Sequence, residues 1–156
     1  MWVAPLKNYF LSECGAGPLK PEVVWEGPYF SNYRARNVLD NDDNYWVAEK
    51  GKTTGQGFKI KLDQCKRWIN GIQVKSGVPS GQWYTTKFRV SVSDTENGRY
   101  EKLLEENLAY HHPSPLFQFP FAMAVETQFV KFELISYEGL GGALFYFAAL
   151  LGTSKF

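Results

Sequence analysis

The feature that most constrains this chain is an alternation of apolar and polar side chains with a period of two residues. In "GFKIKL", Phe58, Ile60 and Leu62 alternate with Lys59 and Lys61. Successive side chains of a strand point to opposite faces, so such a segment has one dry face and one wet face. Antiparallel sheets that cover a core on one side show this pattern. Three further segments alternate in the same way: "GIQVKS" (71–76), "KFRVSVS" (87–93) and "FVKFELIS" (129–136).

Two other segments are less regular. The last, "ALFYFAALLG" (143–152), is apolar on both faces, which predicts a strand that is central or covered by the N-terminal segment. The segment "RYEKLLEENLA" (99–109) is the best helical candidate, but Tyr100 and Leu103 make no continuous stripe and a short strand fits it as well. Glycine- and proline-containing turns separate these segments. Regularly spaced strands joined by such turns predict an all-β fold, a sandwich or a barrel.

Length, charge and hydropathy exclude several classes of function. The 156 residues suit one domain, and 17 basic against 16 acidic residues leave no basic excess for a nucleic-acid partner. No apolar run approaches the roughly 18 residues of a transmembrane segment, and no signal peptide is visible at the N-terminus. No nucleophile elbow, phosphate loop or zinc-protease motif occurs in the sequence. We therefore expect no enzyme, no bound nucleic acid and no required cofactor.

The acidic stretch "NVLDNDDNYW" (37–46) is compatible with more than one role. Asp40, Asp42, Asp43 and Asn44 carry the oxygen ligands that calcium prefers, so a structural calcium site is one candidate. The favoured alternative is a turn in which Asp40 and Asn44 bond to their own backbone. A catalytic carboxylate pair is disfavoured, because clustered carboxylates in one exposed turn keep ordinary pKa values.

The order of motifs along the chain resembles that of the discoidin, or coagulation-factor 5/8 type C, domains. The resemblance rests on "CGAGPL" (14–19), "RARNVLDNDDNYW" (34–46), "GQWYTTKFRVSVSD" (81–94) and "GGALFYFAALLG" (141–152), and covers residues 14 to 152. It implies a galactose-binding-like antiparallel jelly roll over 14–156, preceded by an N-terminal extension over 1–13. It also implies a non-catalytic module that binds sugars, anionic phospholipid or proteins, in which Trp46 packs inside.

Within this resemblance, three loops should meet at one end of the sandwich and bind the ligand: "WEGPYFSNY" (25–33), "VAEKGKTTGQ" (47–56) and "SGVPSGQWY" (76–84). Aromatic rings there suit either a pyranose face or a membrane surface, and lysines suit an anionic leaflet. Trp25 is alternatively a core residue of a first strand, "EVVWE". The candidate ligand-binding residues are Tyr29, Phe30, Asn32, Lys50, Lys52, Val78, Gln82 and Trp83.

We expect the ligand to be a cell-surface carbohydrate. An anionic phospholipid such as phosphatidylserine is the first alternative, and an intracellular protein-binding scaffold is the second. The cysteines bear on this choice. Cys14 stands where the family's first cysteine belongs, but Thr153 replaces the usual partner, and whether Cys14 reaches Cys65 is open from sequence. A bond would favour an extracellular or cell-surface module, and free thiols would favour the scaffold.

Overall fold

The computed structural model describes residues 16–40 and 44–152. Within those residues the chain forms β-strands and one short 3₁₀ helix, Ala35–Val38. No helix in this part of the chain is long and apolar enough to cross a membrane. The predicted extension over residues 1–13 lies outside the described residues. The strands are β1 Glu22–Glu26, β2 Trp46–Val47, β3 Gly57–Lys61, β4 Arg67–Ser76, β5 Trp83–Ser93, β6 Glu101–Asn107, β7 Leu116–Thr127, β8 Phe129–Gly139 and β9 Ala143–Leu151.

The strands form two antiparallel sheets that pack as a sandwich. One sheet has the order β1-β3-β8-β5-β6, and the other has the order β2-β9-β4-β7. Every paired neighbour runs antiparallel. This confirms the all-β antiparallel fold that the alternation predicts and the sandwich that the resemblance implies. Each sheet turns one apolar face toward the other.

The ambiguous segment around residue 103 is a strand. β6 pairs with β5, and Leu104 lies opposite Val90 with both side chains in the core. Two further members of the same segment, Glu105 and Lys102, stay on or near the surface. The helical alternative is wrong here, because pairing with β5 satisfies the backbone while burying Leu104 on the dry face.

β7 is a strand for which the sequence analysis made no prediction. Its residues Phe117 and Phe119 pack against the core, and Phe121 is buried in it, so a period of two is present. Pro120 interrupts the hydrogen bonding of this strand, since proline has no N–H to donate to a strand ladder. β7 tolerates it because it is the edge strand of its sheet.

Aromatic rings fill the space between the sheets. Trp46 is fully buried, as the resemblance implies, and meets Phe58 and Phe132 edge-on at centroid distances of 5.6 and 5.7 Å. Phe132 stacks on both Phe58 at 5.0 Å and Phe88 at 5.6 Å. Such edge-to-face and offset pairs each contribute about 0.5–1.5 kcal/mol beyond the burial of their area. The core therefore fixes the spacing of the two sheets.

Trp25 is not part of this core. It lies in β1, as "EVVWE" predicts, but 39% of its surface is exposed and the Nζ of Lys59 lies 5.5 Å from its ring centroid. Val23, on the same strand, packs against the core instead. The core placement of Trp25 is therefore wrong. An irregularity between Val23 and Trp25 shifts the pairing with β3, so that Val23 pairs with the buried Ile60 and Trp25 pairs with Lys59.

β9 lies between β2 and β4, in agreement with its apolar character on both faces. Its pairing with β4 is irregular near the start: Lys75 pairs with Tyr146, whereas Ser76 pairs with Leu144. The extra residue in β9 is Phe145, which is half-buried, while Leu144 is fully buried. A bulge of this kind re-aims a side chain without ending the strand.

The turn between β3 and β4 holds a buried ion pair. Arg67 donates to the carboxylate of Asp63, and both side chains are only 6% exposed. Arg67 also donates to the Gly17 carbonyl oxygen at 2.6 Å, and the Gln128 amide donates to the Asp63 carbonyl oxygen at 3.1 Å. Cys65, in the same turn, is disulfide-bonded. The sequence contains one other cysteine, Cys14, which lies outside the described residues.

Candidate functional site

The three predicted loops converge at one end of the sandwich. The rings of Phe30 and Trp83 lie 4.9 Å apart, so the first and third loops touch. The connection between β8 and β9 joins the second loop to the third. Gly51 N–H donates to the Leu140 carbonyl oxygen at 2.9 Å, and Leu140 N–H donates to the Gln82 carbonyl oxygen at 2.8 Å. Because adjacent strands are antiparallel, alternate connections must lie at the same end. The structure therefore confirms that the three loops meet at one end, as the resemblance implies.

Four aromatic side chains at this end form a shallow opening, which we call the aromatic cleft. Phe30 lies nearly parallel to Tyr33, with an interplanar angle of 9° and a centroid distance of 6.4 Å. Tyr33 stacks on Tyr45 at 4.9 Å. Trp83 closes the other side against Phe30. The opening has a volume of about 150 Å³ and is lined by Phe30, Tyr33, Tyr45, Val47, Val78, Ser80 and Trp83.

A small apolar cluster supports the floor of the cleft. Val47, Val78 and Ala143 are buried together, and Tyr33, Tyr45 and Trp83 pack against them. Val78, one of the candidate ligand-binding residues, is only 8% exposed and lines the cleft from below. The aromatic rings are thus held from beneath by a cluster separate from the main core.

Gly141 seats the indole of Trp83. A Cβ atom at position 141 would lie 2.9 Å from Cζ3 of Trp83 and 3.0 Å from Cε3. Both distances are shorter than carbon contacts allow, so only glycine lets the ring lie flat on the backbone of this connection. Gly141 also accepts from Tyr84 N–H at 2.9 Å, which fixes the start of β5 and therefore Trp83.

The phenol of Tyr45 loses its proton less readily than an ordinary tyrosine does. Burial, and then a hydrogen bond with Tyr33, raises the pKa of Tyr45 above its ordinary value. A protonated phenol both donates and accepts hydrogen bonds. Tyr33 and Tyr45 therefore offer ring faces together with hydroxyl groups, which is a combination suited to a ligand with apolar and hydroxylated sides.

Tyr29 lies beside the cleft and braces the first loop. Its backbone forms an isolated antiparallel bridge with Ala48, and the guanidinium of Arg34 lies 5.4 Å from its ring centroid. Arg34 donates to the carboxylate of Glu26 at 2.6 and 3.0 Å. This hydrogen bond is the main cause that raises the pKa of Arg34. Tyr29 is half-buried and packs against the main core. Its role in ligand binding stays a prediction.

Four polar candidates surround the cleft without lining it. The side chains of Asn32, Lys50, Lys52 and Gln82 are all exposed. The backbone carbonyl of Asn32 accepts from Arg34 N–H at 3.0 Å, and that of Gln82 accepts from Leu140 N–H, so their loops are ordered locally. Their role in binding stays a prediction.

The connection between β6 and β7 buttresses the third loop, which the sequence analysis did not anticipate. The Tyr110 hydroxyl donates to the Gly81 carbonyl oxygen at 2.9 Å. The ring of His112 lies against Gly81, where a Cβ would approach it to 3.0 Å. The Tyr84 hydroxyl donates to the Ala109 carbonyl oxygen at 2.7 Å. These contacts join residues about thirty positions apart, and no local sequence pattern predicts them.

Asp40 and Asn44, on the two sides of the acidic turn, do not line the aromatic cleft. Asp40 and Asn44 line an open groove of about 450 Å³ together with Glu26 and Arg34. Asp42 and Asp43 lie outside the described residues, so the calcium prediction is untested. Within the described residues no three His, Cys, Asp or Glu side chains cluster as metal ligands would.

A hydrogen bond across the acidic turn ties its two sides together. The Asn37 side-chain amide donates to the Tyr45 carbonyl oxygen at 3.1 Å. Through this bond the turn positions Tyr45, a residue of the cleft.

Tyr33, Tyr45 and Phe145 are the aromatic residues that the candidate set omitted. A partial signal existed for Tyr45, which directly precedes the buried Trp46. For Phe145 the signal was the loss of alternation in "ALFYFAALLG", which marks the bulge.

The sequence matches no protein-family profile and no curated protein. The structure, in contrast, is similar to several solved modules. One is a family 32 carbohydrate-binding module from a family 31 glycoside hydrolase of Clostridium perfringens, at 14% identity and a TM-score of 0.67, covering 84% of this chain and 94% of that chain.

Two further similar structures contain sugars. The family 32 module of C. perfringens NanJ, in complex with galactose, has 11% identity and a TM-score of 0.65, covering 84% of this chain and 92% of that chain. The module of AlyQ, in complex with 4,5-unsaturated mannuronic acid, has 11% identity and a TM-score of 0.65, with 88% and 97% covered. At these identities the likeness establishes the fold: this chain has the galactose-binding-like β-sandwich of these modules.

Proposed function

We propose that this chain is a non-catalytic carbohydrate-binding module that takes a sugar ring into the aromatic cleft. The carrying observation is the contact between Phe30 and Trp83, which builds an exposed aromatic wall from two separate loops. Phe30 is 41% exposed and Trp83 is half-buried, so the pair presents ring surface to solvent. Stacking of the apolar face of a pyranose on such rings buries hydrocarbon, while the surrounding hydroxyl and amide groups bond to its oxygens.

The similar structures support this proposal. Those of NanJ and AlyQ were solved with galactose and with 4,5-unsaturated mannuronic acid. More specifically, we propose that the chain is a member of the discoidin family, as the sequence motifs suggest. In either case the chain binds its ligand and performs no chemistry on it.

An anionic phospholipid surface is the competing ligand. Lys50 and Lys52 are exposed at the loop end, as that function requires. A membrane-inserting spike, however, needs an apolar side chain at its tip, and Val78 lies beneath the cleft instead. Phe30 and Trp83 also pack on each other and do not project separately. These features favour a sugar over a bilayer.

The bonded Cys65 supports a site of action outside the reducing interior of the cell. An intracellular scaffold is correspondingly disfavoured. Counting free thiols in the denatured protein tests this placement: we expect none, and two would favour the scaffold.

The decisive experiment is binding of the purified chain to a glycan array and to liposomes with and without phosphatidylserine. We expect glycan binding that Trp83→Ala and Phe30→Ala each weaken by about tenfold, the loss of one aromatic contact of roughly 1.4 kcal/mol. Trp25→Ala is the matched control, because it removes an exposed tryptophan remote from the cleft. Binding to phosphatidylserine alone, or glycan binding insensitive to both cleft variants, would refute the proposal.

The predicted calcium site requires a separate test. Since a hydrogen bond from Asn37 to the Tyr45 carbonyl already braces the acidic turn, we expect glycan binding and thermal stability to persist in EDTA. A fall of both in EDTA, restored by calcium, would assign a structural ion to Asp40, Asp42, Asp43 and Asn44.

A further inference from the structure

The aromatic surface does not end at the cleft. Phe145, re-aimed by the bulge in β9, lies 5.9 Å from Tyr45 between ring centroids. The rings of Trp83, Phe30, Tyr33, Tyr45 and Phe145 thus follow one another at spacings of 4.9 to 6.4 Å. We call this series the aromatic ribbon. It starts at the loop end and continues onto the outer face of the four-stranded sheet, which is a longer path than a single sugar ring needs.

A cation stands at the far end of the ribbon. The Nζ of Lys75, on β4, lies 5.1 Å from the ring centroid of Phe145. Its partners in the adjacent strands are Tyr146 of β9 and Leu116 of β7, neither of which is acidic. In the described part of the chain, the Lys75 side chain has no ion-pair partner and donates no hydrogen bond.

Lys59, on the other sheet, has both aromatic contacts and a hydrogen-bond acceptor. The Nζ of Lys59 lies between the rings of Trp25 and Tyr100, 5.5 and 5.1 Å from their centroids. It also donates to the Glu96 carbonyl oxygen at 3.2 Å. The ammonium of Lys59 therefore already has an acceptor within its own protein. Lys75 has the aromatic contact but no acceptor, which leaves its ammonium able to bind an anion of the ligand.

We infer that the ligand is an acidic polysaccharide chain that lies along the aromatic ribbon and places a carboxylate or sulfate group on Lys75. The inference rests on the proposed function and narrows it from a sugar to an extended anionic glycan. Successive sugar units stack along the rings from Trp83 to Phe145. The charged group then supplies selectivity, since an ion pair beside an aromatic ring is less hydrated than one in open solvent.

Affinity electrophoresis of the whole chain tests this inference directly. Native gels contain alginate, polygalacturonate or chondroitin sulfate as acidic probes, and galactomannan, mixed-linkage glucan or dextran as neutral ones. The variants are Lys75→Gln and Phe145→Leu; the second keeps apolar bulk but removes the flat ring. Lys102→Gln and Trp25→Ala are controls for an exposed charge and an exposed ring outside the ribbon.

We expect at least one acidic polysaccharide to retard the chain more than any neutral one does. Lys75→Gln and Phe145→Leu should each weaken that retardation by about fivefold, as the loss of one charge-assisted or aromatic contact implies. Relative to its own mobility in a gel without polysaccharide, each control should be retarded as much as the parent chain is. No retardation by any acidic probe, or retardation that Lys75→Gln and Phe145→Leu leave unchanged, would overturn the inference.

The two proposals fail differently. Glycan-array binding that Trp83→Ala abolishes, together with a failed electrophoresis test, would keep the carbohydrate-binding function and reject the ribbon. Array binding that is absent or indifferent to Trp83 would reject both.

Discussion

The two ends of the sandwich use polar and aromatic residues in opposite ways. At the loop end, aromatic rings from separate connections lie partly exposed over a small apolar floor. Beyond them, the Lys75 ammonium lies on the Phe145 ring and has no ion-pair partner among the described residues. At the other end, Asp63 and Arg67 are buried and bonded to each other and to the backbone. The disulfide at Cys65 lies in the same turn.

This contrast separates the residues that stabilise the fold from those of the proposed binding site. A buried ion pair must be matched by hydrogen bonds, and breaking it leaves an uncompensated charge. Exposed aromatic rings contribute less to stability because part of their surface stays in water. Changes at the Asp63 end should therefore alter unfolding and spare binding, while changes at the loop end should do the reverse.

The largest effect is expected from Asp63→Asn. The variant leaves the buried Arg67 guanidinium without its counter-charge, which should lower the free energy of unfolding by about 3–5 kcal/mol. Chemical denaturation measures this loss. Lys66→Gln is the matched control at the same end: its ion pair with Asp94 is exposed, so we expect less than about 1 kcal/mol. Equal effects of the two variants would contradict the role assigned to the buried pair.

Opening the disulfide should cost somewhat less. Cys65→Ala, or reduction of the parent chain, should lower the free energy of unfolding by about 2–4 kcal/mol because the unfolded chain gains freedom. Glycan binding by the folded fraction should be unchanged. A denaturation midpoint that does not respond to reductant would show that the bond contributes nothing to the fold.

At the loop end, Gly141→Ala should act on Trp83. The new methyl group would overlap the indole, and overpacking of this kind costs about 1–3 kcal/mol. We expect glycan affinity to fall as well, since the ring must shift. In a Trp83→Ala background the same substitution should have almost no further effect on binding. An undiminished effect in that background would mean that Gly141 acts through another contact.

The smallest effect concerns Tyr100, at the Asp63 end. Burial, with Glu96 nearby, raises the pKa of Tyr100 to about 12. The unfolded phenol has a pKa of about 10, so ionisation favours the unfolded chain. The protonated phenol therefore contributes stability that is present below about pH 10 and is lost as the pH rises through the folded pKa.

Tyr100→Phe should remove that alkaline loss, and one late-titrating tyrosine should disappear from the tyrosinate absorbance. Denaturation at several alkaline pH values measures the first effect. If the parent and the variant lose stability in parallel, Tyr100 is not the group responsible.

Local pattern predicts much of this architecture. β3, β4, β5 and β8 follow from their alternation, because a half-buried strand must alternate. The placement of Trp46 inside and the meeting of three loops at one end came from the resemblance, and the structure confirms both. The helical alternative near Leu104, the core placement of Trp25 and the missing β7 show the limit of such reasoning. Each depended on a pairing partner or a register that the segment itself does not contain.

By itself the sequence determined an all-β chain, four of its alternating strands and connecting segments rich in aromatic residues. Only the tertiary structure decided that Tyr33, Tyr45 and Phe145 continue the surface begun by Phe30 and Trp83. It also decided that Lys75 lies at the end of that surface. The physical reason is that alternation records only which face of a strand is dry. The neighbours of a side chain across strands and bulges depend on register, which is fixed when the two sheets pack together.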